Sequence, residues 1–281
     1  MIAFLGTGLL GSNFVRSLIT KGNTLQVWNR TASKAEALKA YGANAFSTPA
    51  EAVNGADMIH LTLKDDQTVD EVIALAAPGL KQGAILIDHT TTSAAGAIDR
   101  TKRLKQQGFE YLHAPVFMGP QNALEATGYM LASGNQELIS QLEAHLSTMT
   151  GKLVNLGPEE GKAAGLKLTG NLFLMTITAG AVDALALARS MNIEPNDVLE
   201  FFTMWNPGAS APARMKKVIS GDFSSPSWAL SMARKDAGLM LDAAAAGNKT
   251  LNLIPSIASV MDKKIAEGHG NDDWTVIGKD L

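Results

Sequence analysis

The chain opens with a short hydrophobic segment that runs directly into closely spaced glycines. Ile2–Leu5 is typical of a buried strand, and a helical pattern starts a few residues later, at Leu9. The residues at this junction are Gly6, Thr7, Gly8, Leu9, Leu10 and Gly11. In that context the first glycine makes a tight turn, the second lets the backbone approach a pyrophosphate, and the third lets the helix pack on the sheet. We predict a dinucleotide-binding βαβ unit; the alternative is a plain glycine-rich turn.

Strand-like and helix-like segments alternate as far as about residue 158. The predicted strands are Ile2–Leu5, Leu25–Trp28, Met58–Leu63 and Ala84–Ile87, with weaker ones at Tyr111–Val116, Tyr129–Ala132 and Lys152–Asn155. The predicted helices lie near residues 9–21, 32–41, 67–76, 93–107 and 135–149. This alternation predicts the α/β class, with an N-terminal Rossmann doubly wound sheet of largely parallel strands.

The pattern changes near Gly157-Pro158, after which the chain is predicted to be all-α. A helical pattern about thirty residues long, from Glu160 to Met191, exceeds the usual length of a globular helix. It predicts a long interdomain helix or a helix in an oligomer interface. We predict two domains, residues 1–158 and 159–281. Further helices are expected at residues 195–203, 227–246 and 255–267, with a loop-rich stretch punctuated by Pro207, Pro212 and Pro226.

Composition narrows the possible functions. The chain has 281 residues, no cysteine and a net charge of −3. Disulfides, thiolate zinc sites and thiol nucleophiles are excluded, and neither nucleic acid nor a membrane is expected as a partner. The apolar run Leu172–Leu187 is predicted to be too short to span a bilayer. The five histidines are dispersed in sequence, so no metal is expected. A cytoplasmic location is expected.

The end of the second strand indicates which nucleotide is bound. An acid at this position usually binds the ribose 2′-OH of NAD. Here the strand is followed by Asn29, Arg30 and Thr31, and the first acid is Glu36. A guanidinium can hold a 2′-phosphate in bidentate fashion, whereas a carboxylate would repel it. These residues predict NADP(H); the alternative is that Arg30 is an ordinary solvated side chain.

The next strand ends are expected to face the same crevice, because ligands of such sheets bind beyond the carboxyl ends of the strands. They contribute Leu63, Lys64 and Thr91 as candidate cofactor contacts. His89 is a weak candidate acid. Each of these is also compatible with an ordinary loop.

Taken together, six blocks in order resemble the 3-hydroxyisobutyrate dehydrogenase family of β-hydroxyacid dehydrogenases over nearly the whole chain. They are Gly6–Gly11, Asn29–Thr31, Asp88–Thr91, Ala114–Val116 followed by Gly119, Gly161 with Lys167 and Asn171, and Lys235-Asp236. The resemblance implies that Lys167 exchanges a proton with the carbonyl oxygen as hydride is transferred. It also implies that Asn171 helps to hold the substrate, and that Lys235 with Asp236 reaches back to the cofactor. Lys167 and Asn171 are four residues apart, hence on one helix face. Without the resemblance, Lys167 would be one more solvated lysine.

The chain departs from that family where the substrate would bind. The family usually reads Asp-Ala-Pro-Val-Ser-Gly-Gly, and its serine and glycines cradle a carboxylate. Here Phe117 and Met118 replace the serine and the first glycine, and only Gly119 remains. A larger or less polar carbonyl compound, or an imine, is therefore expected. Trp205, Asn206 and Trp228 are candidates to line that pocket; the alternative is that the aromatic side chains belong to the core.

These observations predict an NADPH-dependent oxidoreductase that transfers hydride to or from a small carbonyl or hydroxy compound and forms a homodimer or a higher oligomer. Two alternatives stay open. One is an imine reductase. The other is an NADPH-binding sensor or scaffold that has lost catalysis through the change at Phe117 and Met118.

Overall fold

The computed structural model describes all 281 residues, which form two compact units, Met1–Asn171 and Leu172–Leu281. The first unit contains all nine strands of the chain. The main sheet consists of β1 (Ile2–Leu5), β2 (Leu25–Trp28), β3 (Asn44–Ala45), β4 (Met58–Leu61), β5 (Ile85–Asp88) and β6 (Glu110–His113). Its order is β3-β2-β1-β4-β5-β6 and every pair is parallel. The predicted Rossmann sheet is confirmed.

Helices cover both faces of this sheet. Those of the first unit are α1 (Leu9–Thr20), α2 (Ala32–Glu36), α3 (Pro49–Val53), α4 (Asp66–Ala76), α5 (Ala94–Gln106), α6 (Pro120–Glu125), α7 (Gln136–Ser147) and the start of α8 (Lys162–Ser190). Alternate residues of β1 enter different cores: Ile2 and Phe4 pack with Phe14 of α1, whereas Leu5 packs with Val69 of α4. This alternation is the reason that β1 is apolar throughout.

Three short strands form a separate sheet in the order β7 (Val116–Phe117), β8 (Tyr129–Ala132) and β9 (Lys152–Asn155). The prediction of one strand over Tyr111–Val116 was wrong. The segment divides at Ala114-Pro115, because proline has no N–H to donate to a ladder. Sequence patterns also missed β3, α3 and α6, all six residues or shorter.

The second unit is helical, as predicted. It holds the remainder of α8, then α9 (Pro195–Met204), α10 (Ala211–Ser220), α11 (Leu230–Ala246) and α12 (Ile254–Lys264). The expectation of loops between Pro207 and Pro226 was wrong for α10. Pro212 lies in the first turn of that helix, where a missing N–H costs no hydrogen bond.

The longest helix, α8, departs from one prediction. It has 29 residues and a mean hydropathy of 1.6 over its most apolar 18-residue window. By length and composition it could cross a bilayer, so the expectation that this segment is too short was wrong. The prediction counted only the run from Leu172 to Leu187, whereas the helix continues through polar residues at both ends. Its single acid, Asp183, is buried against the loop before α12.

Asp183 is the main polar contact that fixes the start of α12. Its carboxylate accepts hydrogen bonds of 2.8 Å from the backbone N–H of Asn252 and 2.8 Å from that of Leu253, and one of 2.9 Å from the Asn252 side chain. Burial acts to raise the pKa of Asp183, but the backbone donors outweigh it and hold the pKa below its usual value. The carboxylate therefore stabilises the fold above the ordinary pKa of aspartate, and this contribution is lost as pH falls through the native value.

We predict that Asp183→Asn lowers the free energy of unfolding by about 2–3 kcal/mol, because an amide nitrogen would face a backbone N–H in a buried position. Chemical denaturation at neutral pH measures the change, which should shrink in acid. Asp242→Asn, at an exposed position of α11, is the control and should have little effect. Equal effects of the two substitutions would contradict the role given to Asp183.

Candidate active site

Close contact with the end of β4 shapes the loop between β1 and α1. Gly6 has a φ of 95°, a left-handed conformation that favours glycine. A Cβ at Gly6 would lie 2.2 Å from the carbonyl oxygen of Thr62, and one at Gly11 would lie 2.0 Å from the carbonyl oxygen of Gly6. The Thr62 hydroxyl donates a 2.7 Å hydrogen bond to that same Gly6 oxygen. Gly6 and Gly11 are thus required for packing.

Gly8 differs from its two neighbouring glycines. A Cβ there would meet nothing within 4 Å. Gly8 is also the residue preceding α1, and no side chain caps the first turn of that helix. The free N–H groups and the helix dipole favour an anion at this point. The surroundings of Gly8 therefore fit the pyrophosphate of a dinucleotide.

Asn29 lies at the end of β2 and holds the glycine loop. Its side-chain oxygen accepts a 3.0 Å hydrogen bond from the N–H of Thr7, and its amide nitrogen donates to the carbonyl oxygen of Thr31. The Thr7 hydroxyl is buried without a hydrogen-bond partner. This bridging contact of Asn29 was not predicted; the sequence identified the residue only as part of a block.

Arg30 and Thr31 lie beside that bridge, and both are exposed. Thr31 precedes α2 but does not cap it through its side chain. The nearest ion pair on this segment joins Lys39 to Glu36, so the Arg30 guanidinium has no carboxylate partner. A free guanidinium and no acid at the end of β2 are the features that accommodate a 2′-phosphate.

The carboxyl ends of β1, β4 and β5 enclose a cavity of about 280 Å³. It is lined by Gly8, Leu9, Leu10, Gly11, Thr62, Leu63, Lys64, His89, Thr90 and Thr91. The structure thus brings seven of the predicted cofactor contacts together. Thr90 organises the far side: its hydroxyl accepts from the N–H of Leu63, while its own N–H donates to the buried carboxylate of Asp88.

Three of the histidines, although dispersed in sequence, lie together in the fold. His60 lies between two others, with 2.9 Å from its Nδ1 to Nε2 of His89 and 3.0 Å from its Nε2 to Nε2 of His145. Nδ1 of His89 donates to the carbonyl oxygen of Ala114. One set of neutral tautomers satisfies the whole chain, and both nitrogens of His60 and of His89 are engaged within the protein. His60 and His89 therefore have no ring nitrogen free for a further ligand.

Burial governs the charge of these rings. It lowers the pKa of His60 well below its ordinary value and that of His89 to about 4, and it also lowers the pKa of half-buried His145. His89 is therefore neutral at physiological pH and, with its Nδ1 hydrogen donated to Ala114, is a poor general acid.

Lys167 lies on α8 and is 8% exposed. Its Nζ donates a 3.0 Å hydrogen bond to Oδ1 of Asn171, one helical turn further on. On another side the ammonium lies 4.1 Å from the centre of the Phe117 ring. Burial lowers its pKa from the ordinary value. A buried amine without a carboxylate partner, lowered toward working pH, is suited to proton transfer.

The loop after β7 does not form a backbone cradle for an anion. The N–H of Gly119 already donates to Oδ1 of Asn122 at 2.8 Å. Met118 is half-buried and packs against the core that contains α1. Both findings agree with the expectation that the substrate site differs from the serine-glycine pattern.

The other predicted site residues lie in the second unit, at positions that do not by themselves define a site. Trp205 follows α9 and packs against Phe201 and Phe202. Lys235, on α11, forms an exposed ion pair with Asp236. The remaining two candidates are Asn206, which caps a 3₁₀ turn, and Trp228, which packs edge-on against Trp274.

Known proteins share this sequence pattern and fold. Residues 1–157, more than half of the chain, match the family described as the NAD binding domain of 6-phosphogluconate dehydrogenase. The chain belongs to this family. Residues 159–281 match the C-terminal domain of NADPH-dependent reductive aminase-like proteins.

Two curated relatives align over almost the full length. The 3-sulfolactaldehyde reductase of Escherichia coli is 28% identical, covering 98% of this chain and 94% of the relative. The mitochondrial 3-hydroxyisobutyrate dehydrogenase of Drosophila melanogaster is 26% identical over 98% and 87%. The predicted family resemblance is confirmed, and the chain is an NAD(P)-dependent oxidoreductase of the hydroxyacid dehydrogenase family.

Among solved structures, the imine reductase from Myxococcus stipitatus in complex with NADP⁺ superposes with a TM-score of 0.91. Its sequence is 23% identical, and the match covers 99% of this chain and 98% of that one. The two proteins share their fold.

The contrast between Gly11 and Gly8 gives a test of the glycine loop. Gly11→Ala should lower the free energy of unfolding by about 1–3 kcal/mol, because the new methyl group overlaps the Gly6 carbonyl. Gly8→Ala should fold with nearly unchanged stability but lose most of the rise in melting temperature that NADPH gives the wild type. Thermal unfolding with and without NADPH measures both. A Gly8→Ala protein that NADPH stabilises normally would contradict the pyrophosphate position.

Proposed function

We propose that the chain is an NADPH-dependent reductase of small carbonyl compounds in which Lys167 is the proton donor. The supporting observation is the buried ammonium of Lys167, oriented by Asn171 and without a carboxylate partner. An unpaired ammonium can give a proton to a substrate oxygen without first breaking an ion pair.

The mechanism assigns a task to each group. When NADPH is bound it supplies the hydride that reaches the carbonyl carbon. Lys167 donates one proton from Nζ to the carbonyl oxygen, which yields the alcohol and leaves a neutral amine that solvent protonates again. Asn171 holds Nζ in place through its 3.0 Å hydrogen bond. Because the donor must be protonated, kcat/KM for reduction should fall as pH rises through a pKa below that of an ordinary lysine.

The preference for NADPH is proposed from the end of β2. Asn29, Arg30 and Thr31 would surround the 2′-phosphate, with the exposed guanidinium as its counter-charge. Gly6, Thr7, Gly8 and Gly11 would seat the pyrophosphate, and Leu63, Lys64 and Thr91 would lie along the nucleotide. Lys235 would approach the same cofactor, and Trp205 the substrate. The domain boundary is proposed at residues 158 and 159, where the composition changes.

A homodimer is proposed from the surface of α8 and α9. Large apolar side chains there are exposed, among them Leu172 at 65%, Met175 at 70% and Leu199 at 64%. Monomeric proteins rarely leave such a contiguous apolar face in water. We therefore assign the apolar character of α8 to self-association rather than to a membrane, and propose a cytoplasmic location, consistent with the lack of cysteine.

Imine reduction is the second candidate. The observations that favour it are the apolar pair Phe117-Met118 and the engaged N–H of Gly119, which leave no obvious cradle for an acidic substrate. The match of residues 159–281 to reductive aminase-like proteins agrees with it.

Removal of the lysine tests the mechanism. With a panel of aldehydes, keto acids and cyclic imines, Lys167→Ala should reduce turnover of the best carbonyl substrate by at least about a hundredfold. NADPH binding, followed by fluorescence, should persist. Lys162→Ala, an exposed lysine of the same helix, is the matched control. Unchanged turnover in Lys167→Ala would remove this residue from the mechanism.

The same panel separates the alternatives. Turnover of imines alone would make imine reduction the activity. NADPH binding without turnover of any compound would support the sensor or scaffold.

Replacement of the guanidinium tests the choice of nucleotide. Arg30→Ala should weaken NADPH binding about ten- to a hundredfold, the loss expected for a charge-assisted contact, and leave NADH binding unchanged. Lys39→Ala is the control because its charge lies further along the same segment, paired with Glu36. Titration with both nucleotides measures the effect. Equal weakening of NADH would contradict a 2′-phosphate contact.

A further inference from the structure

The ring of Phe117 fits into a gap in helix α8. A Cβ on Gly170 would lie 2.4 Å from Cζ of Phe117. Any residue larger than glycine would therefore displace the ring from its place beside Lys167. Phe117 and Gly170 are therefore complementary in shape, although 53 positions separate them in sequence.

The backbone of Phe117 is held just as closely. It pairs with Tyr129 in the antiparallel ladder of β7 and β8. Gly128 has a φ of 81°, and a Cβ on it would lie 2.8 Å from the carbonyl oxygen of Phe117. One glycine thus allows the strand to approach and another admits the ring, so the position of Phe117 is fixed at both ends.

What the ring contacts is the reacting ammonium. The centre of the ring lies 4.1 Å from Nζ of Lys167, within the range of a cation–π interaction. The face of an aromatic ring is electronegative and stabilises a cation, most strongly where water is excluded. Lys167 is buried and has no acid to stabilise its charge, so the ring supplies what a carboxylate otherwise would.

The contacts of Nζ also limit what can bind there. Of the three N–H groups of an ammonium, one is given to Asn171. The side toward Phe117 is closed, because a carboxylate oxygen cannot lie at hydrogen-bond distance where the ring already stands. What remains is an approach for one acceptor atom.

We propose that Phe117 is a positioning residue that orients and stabilises the Lys167 ammonium and, with Gly170, leaves one open approach to it, which the carbonyl oxygen or imine nitrogen of the substrate occupies and which a carboxylate of the same substrate cannot share. This inference rests on the proposed function, in which Lys167 meets the substrate. It identifies the substrate class as carbonyl compounds or imines that lack an acid group next to the reacting carbon.

A direct test measures the Lys167 amine without using activity. In ¹⁵N-lysine-labelled protein, the Nζ resonance of Lys167 is the one lost in Lys167→Arg, and it can be titrated by NMR. Phe117→Leu keeps the site apolar but removes the ring, so the amine should titrate about one pH unit lower. Phe117→Tyr keeps the ring face and should titrate as the wild type does. An unchanged titration in Phe117→Leu, or equal shifts in the two variants, would overturn the proposal.

Glycine substitutions test the interlock. Gly170→Ala should lower the titration point as Phe117→Leu does, although it alters neither the lysine nor the aromatic residue. In the double variant Phe117→Leu/Gly170→Ala the amine should titrate at the same pH as in Phe117→Leu, because the shorter side chain leaves space for the methyl group. Gly165→Ala is the control: it lies in the same helix, and a Cβ at this position would meet nothing within 4 Å. It should leave the titration of the Lys167 amine unchanged. Additive effects in the double variant would contradict the interlock.

Specificity is read from two compounds that differ in charge, glyoxylate and methyl glyoxylate. The wild type should prefer the ester, and Phe117→Ala should shift the ratio of kcat/KM toward the acid by at least about tenfold, since it opens the side of the ammonium that the ring closes. An unchanged ratio would refute the specificity role. Failure of the proposed function is distinguishable, because it would appear as full turnover in Lys167→Ala while the NMR titration still reports on the ring.

Discussion

The approach of Thr62 to the glycine loop is the contact on which the nucleotide site depends. Its carbonyl oxygen occupies the space where a side chain at Gly6 would begin, and its hydroxyl bonds to the Gly6 carbonyl oxygen. The end of strand β4 therefore fixes the position of the glycine loop, and the loop fixes the position at which α1 begins. The next residue, Leu63, continues the chain of contacts to Thr90 and the buried carboxylate of Asp88. Three strand ends are thus joined by hydrogen bonds within the protein.

Local patterns were sufficient to predict most of this scaffold. Strands such as Ile2–Leu5 are buried on both faces and are uniformly apolar, so the sequence marks them clearly. Helix α3 was missed although it carries a signal: Thr48 accepts from the N–H of Glu51 while the Glu51 carboxylate accepts from the N–H of Thr48, a capping box with Pro49 in the first turn. Helix α10 was missed because its proline was interpreted as a breaker rather than as a first-turn residue.

Contacts between distant parts of the chain were beyond such reasoning. His60, His89 and His145 lie on two strand ends and a helix, and only the folded sheet aligns their ring nitrogens. Their separation in sequence says nothing about this, because the parallel pairing of β4 with β5 brings His60 into register with Ile87, 27 positions further along the chain. The partly buried hydrogen bond between Asn29 and Thr7 is of the same kind. In each case the residue types were visible but their partners were not.

The proposed proton donor, Lys167, lies directly beside the loop in which this chain departs from its family, at Phe117 and Met118. Lys167 and Asn171 match the family pattern, whereas Phe117 and Met118 do not, and from sequence alone this mixture left open the alternative that catalysis had been lost. The structure places the altered residue against the retained one, at 4.1 Å from its ammonium. The electronegative face of the ring stabilises the positive charge of Lys167, a role that a carboxylate beside the amine would otherwise have. The ring fits only because Gly170 has no side chain. A side chain at position 170 would therefore move the ring away from the lysine, so the effects of substitutions at positions 117 and 170 are coupled.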